Sequence, residues 1–408
     1  MNRIAFLCHP YHRGGVTRWM ADFAVYYSNN GYETYFVTIE PSEEFYSGKG
    51  KETLIKLIKS QPNKVKLVTT KAGQEFEFGA PEYREFFYKQ LLSENVPIST
   101  PIILSDDASI WKSAWEMRAT YPLVGVLHAD EGHYYKLAAQ YKNDIDLYTS
   151  VSNRVTTKTL KETQEIGSEK MFTIPCGIAL PSARTSFFNH SPTRLIYVGR
   201  LNHYQKRIKD LALLGNELKK EGINFELNVV GDGDADKNDL VKLIKDLGLE
   251  QNISLKGWQS QSEVYSMLTE SDILLLPSNF EGMPISMMEA LASGCGFLGT
   301  RVSGVEDLES DELANDCFRI YDVGKVDDGA KKLIQLISVP AEKRASAARE
   351  LALNYFSMEM CFNSYNKAID HIQPRKYKAT PVTIPSMTFV KSRFRAMLRI
   401  AKLSFNKG

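Results

Sequence analysis

Short apolar segments alternate with amphipathic helical segments along almost the whole chain, and this alternation constrains the fold more than any other feature of the sequence. The predicted strands of a first series are Ile4–Cys8, Thr34–Ile39, Val65–Val68, Ile102–Leu104, Leu123–Leu127 and Leu147–Val151. Those of a second series are Leu195–Val198, Phe225–Val230, Ile253–Leu255, Ile273–Leu276, Gly296–Gly299 and Phe318–Ile320. Strands that alternate with helices form parallel sheets with both faces covered by helices. The sequence therefore predicts an α/β fold.

The two series predict two domains. A single hydrophobic core rarely grows beyond roughly 250–300 residues, and this chain has 408. A polar stretch separates the series, so we place the first domain at residues 1–180 and the second at 193–355. Each series has its own first strand-to-helix turn, which is typical of doubly wound, Rossmann-like sheets, here facing a cleft. Ligands of such sheets bind at the carboxyl ends of the strands, so the candidate residues should follow strands.

The segment after the strand Ile273–Leu276 holds the densest set of candidate residues. A polar loop carries Glu281, Pro284 suits the first turn of a new helix, and Glu289 lies about one turn into that helix. The N-terminus of a helix attracts anions, and carboxylates accept hydrogen bonds from sugar hydroxyls. Glu281 could therefore bind a sugar and Glu289 a ribose. The alternative is an ordinary helix start with an exposed glutamate.

Two cations follow the first strand of the second series. Gly199 ends that strand, and the loop behind it carries Arg200 and Lys206. A guanidinium group binds phosphate oxygens in bidentate geometry, and an ammonium group binds them as a point charge. A leaving diphosphate gains negative charge as its bond breaks, so cations at this place would stabilise the transition state. The alternative is a solvated basic loop.

Two further candidates follow strands of the first series. Gly14 and Gly15 come after the first strand, and paired glycines let the backbone approach a phosphate or sugar closely, although a simple turn is the alternative. His128 follows the strand Leu123–Leu127, where its imidazole could hydrogen-bond a bound sugar. The alternative is a structural histidine whose hydrogen bonds are satisfied within the fold.

Together these residues resemble the retaining glycosyltransferases of family 4 (group 1), which have the GT-B fold. Their E-x7-E motif is matched by Glu281 and Glu289, and their basic loop by Gly199-Arg200 with Lys206. The supporting matches are Val229–Gly233, Leu255–Gly257, Asp272, Pro277-Ser278 and Ser293-Gly294. The resemblance is continuous over about residues 194–308. In the first half it is limited to Gly14-Gly15, His128 and Ile174-Pro175-Cys176-Gly177.

The resemblance implies a role for each matching residue. Arg200 and Lys206 would bind the diphosphate of a nucleotide-sugar donor. Glu281 would hold the donor sugar, Glu289 would bind the ribose, and His128 would lie beside the sugar and the transition state. The backbone of Gly14 and Gly15 would approach the phosphates. The further donor contacts would come from the start of the helix, at Gly282, Met283, Pro284 and Ile285.

The resemblance also implies a mechanism and a chain path. The sugar would be transferred with retention, by attack on the same face that the diphosphate leaves, with a donor phosphate oxygen as the base. A helix at residues 356–372 would cross back to brace the first domain. The sequence departs from the family at Arg207, where Gly is frequent, at Cys176, where Asn is usual, and at Met283, where Phe is common. These departures concern the identity of the donor.

Neither a metal ion nor another cofactor is predicted. Asp232-Gly-Asp234 and Asp144-Ile-Asp146 have the spacing of the metal motif found in the other major glycosyltransferase fold. Turn chemistry explains the first of them better, and Arg200 and Lys206 already supply the positive charge. A dinucleotide-binding oxidoreductase is disfavoured because Asp236 occupies the place of the third glycine of G-x-G-x-x-G.

Charge is distributed unevenly along the chain. The total of 50 basic and 49 acidic residues argues against a protein that coats nucleic acid. From residue 373 to 408, however, there are nine basic residues and no acidic one. Within this tail, residues 390–405 predict an amphipathic helix with Phe394 and Leu398 on its apolar face and Lys391 and Arg395 on its basic face. Such a helix suits an anionic membrane surface. The alternatives are packing on the acidic body or a subunit contact.

These features predict a retaining hexosyltransferase. It would use a UDP-sugar or GDP-sugar and a glycan or lipid-linked acceptor, in bacterial surface polysaccharide or envelope glycan synthesis. Trp258 would lie near the base or in the core, and the acceptor side could include Asp106, Asp107 and Trp111. Scattered cysteines and the lack of a signal peptide or spanning segment predict the cytoplasm, or the inner face of the plasma membrane. The alternatives are a GT-B epimerase or phosphorylase and a non-catalytic sugar-nucleotide-binding scaffold.

Overall fold

The computed structural model describes residues 2–9, 15–40, 65–71, 81–163, 165–182 and 191–382, and seven residues of the tail (387, 390, 391, 394, 395, 397 and 398). The chain forms two compact units. The first unit comprises Met1–Ser150, Thr156–Ile174 and Phe362–Gly408, and the second comprises Val151–Val155 and Pro175–Cys361.

The first unit contains a seven-stranded sheet in which neighbouring strands are parallel. Its strands are β1 (Arg3–Leu7), β2 (Glu33–Glu40), β3 (Lys66–Lys71), β4 (Ile102–Leu104), β5 (Leu123–Leu127), β6 (Leu147–Ser150) and β7 (Met171–Thr173). Its helices include α1 (Gly15–Asn29), α2 (Pro81–Asn95), α3 (Ala108–Glu116), α4 (Gly132–Gln140) and most of α5 (Asn153–Glu162). The strand order β3-β2-β1-β4-β5-β6-β7 changes direction between β1 and β4.

The second unit contains a six-stranded parallel sheet. Its strands are β8 (Thr193–Val198), β9 (Phe225–Val230), β10 (Ile253–Gly257), β11 (Ile273–Leu276), β12 (Gly296–Thr300) and β13 (Phe318–Tyr321). The helices that follow in the chain are α6 (His203–Lys206), α7 (Lys209–Lys220), α8 (Asp234–Asp246), α9 (Gln261–Glu270), α10 (Ile285–Ala292), α11 (Ala314–Cys317), α12 (Val326–Ser338), α13 (Ala341–Phe356) and α14 (Met358–Ile369). The strand order β10-β9-β8-β11-β12-β13 changes direction between β8 and β11.

The cores of both units explain why apolar runs became central strands. Every residue of β4, β5, β11 and β12 is buried, as expected for parallel strands covered on both faces. In the first unit, Phe23 and Tyr27 of α1 pack edge-on against Phe6 of β1, with ring centroids 5.8 and 5.9 Å apart. Helix α1 ends before Gly31, whose φ of 84° lies in the left-handed region that glycine adopts without strain. The predicted α/β fold with two Rossmann-like sheets is confirmed.

The predicted return of the chain to the first unit occurs within α14. Met358–Cys361 belong to the second unit, and the helix from Phe362 onward belongs to the first. Phe362 packs edge-on against Tyr27 of α1, with centroids 4.7 Å apart, and the Tyr27 hydroxyl donates to Asn366 Oδ1 at 3.1 Å. Tyr365 packs on Phe23 at 5.1 Å. Aromatic packing therefore fixes the last helix on the first unit.

The first part of the basic tail packs on the first unit. Arg375 forms an ion pair with Asp146 at 2.7 Å, and its guanidinium also donates to the carbonyl of Arg118. The N–H of Lys378 donates to the carbonyl of Ala119 at 2.8 Å. Packing on the protein's own body therefore accounts for this part of the tail. In the described portion of the chain, no helix is both long enough and apolar enough to cross a bilayer.

Candidate functional site

The loops behind β8 and β11 meet at the point where the second sheet changes direction. The two strands are hydrogen-bonded neighbours, so their carboxyl ends lie side by side. The β8 loop carries Arg200 and Lys206, and the β11 loop carries Glu281. Such a switch point is where open α/β sheets bind ligands. The fold therefore brings together three of the predicted site residues.

Lys206 and Glu281 form an ion pair. The Lys206 Nζ lies 2.6 Å from Glu281 Oε1, and the two side chains are only 12% and 8% exposed. A largely buried pair of this kind costs desolvation energy, which makes it weak evidence for a purely stabilising role. It can also exchange partners, since a bound anion can take the ammonium group and sugar hydroxyls can take the carboxylate. The arrangement suits a ligand that carries both groups.

Arg200 stands at the solvent edge of the same loop. Its guanidinium donates to Gln205 Oε1 at 2.7 Å, and its carbonyl accepts from the hydroxyl of Tyr197 at 2.7 Å. Burial raises the pKa of Tyr197, with a smaller contribution from the charge of Glu281, so this hydroxyl stays protonated as a donor. A side chain at Gly199 would meet the Tyr197 hydroxyl at 2.8 Å, which explains the glycine. The backbone of Arg200 is thereby fixed while its charged end remains accessible.

The departure at Arg207 has a structural explanation. Arg207 ends α6 with φ 47° and ψ 43°, a left-handed conformation in which glycine is favoured. Its guanidinium donates to both carboxylate oxygens of Asp210, at 2.8 and 3.2 Å, and to Asn279 Oδ1 at 3.3 Å. These contacts offset a strain of roughly 1 kcal/mol for a non-glycine residue in this conformation.

Glu289 lies inside α10 and is largely buried. Its Oε1 accepts from Gln261 Nε2 at 2.5 Å, and Gln261 is the first residue of α9. Sequence reasoning missed Gln261, because nothing in the chain links it to Glu289 before the fold brings them together. Burial of Glu289 contradicts the alternative that it is an exposed residue of an ordinary helix start.

The other donor contacts implied by the resemblance lie at the beginning of the same helix. Pro284 is the cap residue of α10, Gly282 and Met283 precede it as buried residues, and Ile285 opens the helix. A side chain at Gly304, whose φ is 76°, would meet the carbonyl oxygen of Gly282 at 2.1 Å. The loop behind β12 therefore packs directly against the backbone next to Glu281.

The acidic pair Asp232–Asp234 belongs to a tight backbone crossing. A side chain at Gly231, whose φ is 138°, would meet the carbonyl oxygen of Gly199 at 1.8 Å. The carbonyl of Asp232 accepts from the N–H of Leu201 at 3.0 Å. These contacts support the turn interpretation of the motif. Within the described ranges, no three His, Cys, Asp or Glu residues lie close enough together to hold a metal ion.

In the first unit, His128 follows β5 and is buried. Burial lowers the pKa of its imidazole from 6.5 to about 4, although the charge of Asp106 acts in the opposite direction. The rings of Trp19 and Tyr134 lie edge-on to it at 5.2 and 6.5 Å. Among the residues that the structure describes, Nε2 has no hydrogen-bond partner. A neutral imidazole with a free ring nitrogen does not fit the alternative of a satisfied structural histidine.

The remaining candidates of the first unit have different outcomes. Gly15 is exposed and begins α1, whereas Gly14 lies outside the described residues. Trp111 is fully buried and its Nε1 donates to the carbonyl of Ser105, so its expected contact with an acceptor was wrong. Asp107 caps α3 by accepting from two backbone N–H groups, those of Ser109 and Ile110.

Two other positions of the second unit bear on the predictions. Trp258 is 52% exposed, so the alternative of core packing was wrong. Cys176, the other departure from the family, is buried, and burial raises the pKa of its thiol to about 12. The second unit thus holds Arg200, Lys206, Glu281 and Glu289, and the first holds His128 and Gly15.

Comparison with known proteins agrees with the motifs. Residues 182–351 match the family model for glycosyl transferases group 1. Amylovoran biosynthesis glycosyltransferase AmsK of Erwinia amylovora is 35% identical over 126 residues, which is 29% of this chain and 30% of that protein. Lipopolysaccharide 1,6-galactosyltransferase of Salmonella typhimurium is 29% identical over 182 residues, 44% of this chain and 48% of that protein. The chain thus matches less than half the length of these curated relatives.

Solved structures share the whole architecture at low sequence identity. S. aureus TarM, in a structure whose title names UDP as a bound ligand, has a TM-score of 0.71 at 16% identity over 91% of this chain and 100% of that one. Anabaena Alr3699/HepE, solved in complex with UDP and glucose, has a TM-score of 0.69 at 16% identity with the same coverage. Through residues 182–351 the chain belongs to the group 1 glycosyltransferases, and it has the GT-B fold that its motifs predicted.

Proposed function

We propose that this protein is a retaining glycosyltransferase that moves a hexose from a nucleoside diphosphate sugar to a glycan or lipid-linked acceptor in bacterial surface polysaccharide or envelope glycan synthesis. The observation that carries the proposal is the buried Lys206–Glu281 pair at the switch point of the second sheet, 2.6 Å apart, with Arg200 in the same loop. One loop supplies cations and its neighbour supplies a carboxylate. A sugar diphosphate presents the complementary groups in the same order.

In the proposed reaction, Arg200 and Lys206 bind the donor diphosphate. The bond between the anomeric carbon and the diphosphate oxygen breaks, and the electron pair leaves with the diphosphate. Fixed cations at that position stabilise the developing charge without reorganisation, and removal of one such group typically costs ~3 kcal/mol or more in the transition state. Glu281 accepts hydrogen bonds from the sugar hydroxyls, and Glu289 accepts them from the ribose, aligned by Gln261.

The stereochemical part of the proposal is retention by attack on the face that the diphosphate leaves. The acceptor oxygen forms the new bond to the anomeric carbon, and its proton passes to a diphosphate oxygen. A double displacement would need a carboxylate nucleophile about 5 Å from a second carboxylic acid. Glu281 is instead paired with Lys206, which suits binding of the sugar better than nucleophilic attack. His128 contributes a neutral imidazole beside the sugar, because burial lowers its pKa to about 4.

UDP is the first donor nucleotide to test. The titles of the TarM and HepE structures name UDP as their ligand, and this chain has the same fold. Exposed Trp258 follows the end of β10 and offers an aromatic face for stacking with a base. We propose that UDP-sugars bind better than GDP-sugars and that no metal ion or other cofactor takes part.

The experiment that tests the function combines binding and transfer. A thermal-shift panel of UDP, GDP and their hexose derivatives identifies the donor, since a ligand at 100 times its Kd stabilises a protein by ~2.7 kcal/mol. The selected donor is then incubated with the enzyme, and NMR of the product reports the anomeric configuration. Retained configuration supports the proposal, and inverted configuration contradicts it. Binding without either transfer or hydrolysis would identify a scaffold subunit, and release of a free epimer or of sugar 1-phosphate would identify an epimerase or phosphorylase.

We further propose that the tail attaches the protein to an anionic membrane at the cytoplasmic face. Val390, Phe394, Met397 and Leu398 are between 52% and 67% exposed, and Lys391 and Arg395 belong to the same helical segment. Arg393 and residues 399–408 lie outside the described residues. An apolar stripe combined with basic side chains suits anionic lipid, at ~1 kcal/mol per basic residue near the surface.

The membrane proposal has a direct test. Full-length protein should co-sediment with vesicles of phosphatidylglycerol and phosphatidylcholine, and much less with pure phosphatidylcholine. The paired substitutions Phe394→Ser and Leu398→Ser should abolish this binding. The control Arg375→Ala changes a basic residue that is already paired with Asp146, so it should retain most of the binding. Equal sedimentation of the protein and the Phe394/Leu398 variant would refute the proposal.

A further inference from the structure

The β8 loop (residues 199–207) and the β11 loop (residues 277–284) are joined by more contacts than the Lys206–Glu281 pair. The N–H of Asn279 donates to the carbonyl of Gln205 at 2.7 Å, and its side-chain Nδ2 donates to the carbonyl of Tyr204 at 2.6 Å. Gln205 Nε2 donates back to the carbonyl of Phe280 at 3.4 Å. Asn279 therefore uses both its backbone and its side chain to hold one loop against the other.

Arg207 completes this set from the other end. Its Nη1 donates to Asn279 Oδ1 at 3.3 Å, so the side-chain amide of Asn279 has a partner at each end. Asp210, which is 98% buried, accepts two hydrogen bonds from the same guanidinium and fixes its plane. The left-handed backbone at Arg207 turns the chain directly after Lys206. Lys206 can then lie against Glu281 while its neighbour lies against Asn279.

We infer that Arg207 and Asn279 are positioning residues that set the separation between Lys206 and Glu281. The inference rests on the proposed function, because those two groups are the ones assigned to the donor diphosphate and the donor sugar. Lys206 and Glu281 each adjoin a member of the clamp in sequence, one residue from Arg207 and two from Asn279. A shift of about 1 Å between groups that act on one reacting bond can cost roughly 100-fold in rate. Binding of the nucleotide alone depends much less on that separation.

A site with glycine at position 207 would lack this contact, because glycine has no side chain to reach Asn279. Glycine relaxes the backbone but leaves Asn279 Oδ1 without the guanidinium. The clamp therefore substitutes a hydrogen-bonded side chain for the backbone freedom of glycine. It explains why a strained arginine is tolerated beside a residue that is to bind the diphosphate.

The test measures kcat and KM for the donor in full-length protein with Asn279→Ala, Arg207→Gly and the double variant. We expect kcat to fall roughly 10- to 100-fold in each, with KM and the affinity for free nucleoside diphosphate within about threefold. The double variant should lose no more than the worse single variant, since both substitutions break the same clamp. Arg207→Lys should stay as slow as Arg207→Gly, because an ammonium group cannot bind Asp210 and Asn279 in the same geometry.

The control Lys209→Ala removes an ion pair with Asp239 on the neighbouring helix and should leave both constants unchanged. Unchanged kcat in Asn279→Ala would overturn the inference, as would losses that multiply in the double variant. A fall in unfolding temperature with kcat preserved would show a purely structural role and would also overturn it. If the unmodified protein uses no nucleotide sugar, the proposed function fails instead, so the two failures are distinguishable.

Discussion

The two sheet edges that carry the candidate residues solve the problem of binding in opposite ways. At the β8–β11 edge, charges are concentrated and already paired, as Lys206 with Glu281 shows. At the β1–β5 edge, His128 is buried, neutral and without a partner for Nε2 among the described residues. The first arrangement is suited to a charged ligand that displaces existing partners. The second is suited to an uncharged hydroxyl group that finds a vacant hydrogen-bonding atom.

The difference teaches that the two edges respond to different perturbations. A paired, charged site is sensitive to loss of one charge, because the remaining partner is left buried and unbalanced. A neutral buried imidazole is sensitive to pH, because protonation would place an uncompensated charge in a desolvated position. Mutation should therefore affect the second unit most, and acid should affect the first.

The largest effect is expected from Lys206→Ala. The substitution removes a cation proposed to stabilise the leaving diphosphate and leaves Glu281, only 8% exposed, without its counter-charge. We expect kcat for transfer to fall about 100- to 1000-fold, as is typical when a single preorganised electrostatic group is lost. Initial rates with the donor selected by thermal shift provide the measurement.

The control for this prediction is Lys209→Ala. Lys209 lies three residues further on, but its ion pair with Asp239 is on the surface, and such pairs contribute little. A loss of less than about tenfold in Lys206→Ala would show that the paired charges of the β8–β11 edge do not act on the leaving group. The contrast between the two edges would then lose its chemical meaning.

The second effect concerns His128 and pH. Burial lowers the folded-state pKa to about 4, below the usual 6.5 of the unfolded chain. Between these values the unfolded state binds a proton that the native state does not, so stability falls as pH falls through this window. From pH 7 to pH 4.5 the contribution lost should be about 2 kcal/mol. Urea unfolding at both pH values, in the unmodified protein and in His128→Leu, gives the difference.

An exposed histidine supplies the comparison. His133→Gln should show the same pH dependence of unfolding as the unmodified protein, because its side chain is solvated in the native state as well. If His128→Leu loses as much stability on acidification as the unmodified protein does, the imidazole is not held neutral by burial. The first edge would then not differ in kind from the second.

The sequence predicted the two edges unequally, for physical reasons. Strands with continuous apolar runs, such as Phe225–Val230 and Ile273–Leu276, were correct at both ends, because burial on both faces leaves a strong pattern. The three residues of β7 and the single turn of α6 were missed, since segments so short carry no periodicity. Motif spacing located the charged loops because each functional residue lies close to another in the chain.

Contacts between distant parts of the chain could not be predicted in the same way. Gln261 reaches Glu289, and Asn279 reaches Gln205, only because β10, β8 and β11 belong to one sheet. The left-handed backbone of Arg207 was visible only as a departure from a glycine, whose reason needs the backbone dihedral angles. The burial of Trp111 likewise depends on its fold, since an aromatic residue after a strand is equally consistent with a core or a ligand contact.

A smaller effect is expected from Gln261→Ala. Its Nε2 donates to Glu289 Oε1 at 2.5 Å, and loss of this hydrogen bond should leave the carboxylate less well oriented for the ribose. A hydrogen bond to a charged group is worth roughly 1.5–3 kcal/mol at most. Because other contacts of Glu289 remain, we expect KM for the donor to rise about 3- to 10-fold with kcat nearly unchanged.

The matched control is Gln259→Ala. Gln259 is two residues away and donates to the carbonyl of Lys256, so its loss should leave the donor KM unaffected. A fall in kcat without a change in KM in Gln261→Ala would contradict the ribose assignment of Glu289. It would place that carboxylate nearer to the reacting bond than the comparison of the two edges requires.

The smallest effect is expected from removal of divalent metal ions. If Arg200 and Lys206 supply the positive charge at the β8–β11 edge, the diphosphate needs no metal ion to neutralise it. Transfer rates in excess EDTA should therefore equal those in excess Mg²⁺, after prior dialysis against chelator. The same comparison in Lys206→Ala is more informative, because a metal ion could then replace part of the missing charge and raise the residual rate. Abolition of activity by EDTA in the unmodified protein would show that the paired cations are insufficient, and that the charged edge depends on an ion which its own side chains do not replace.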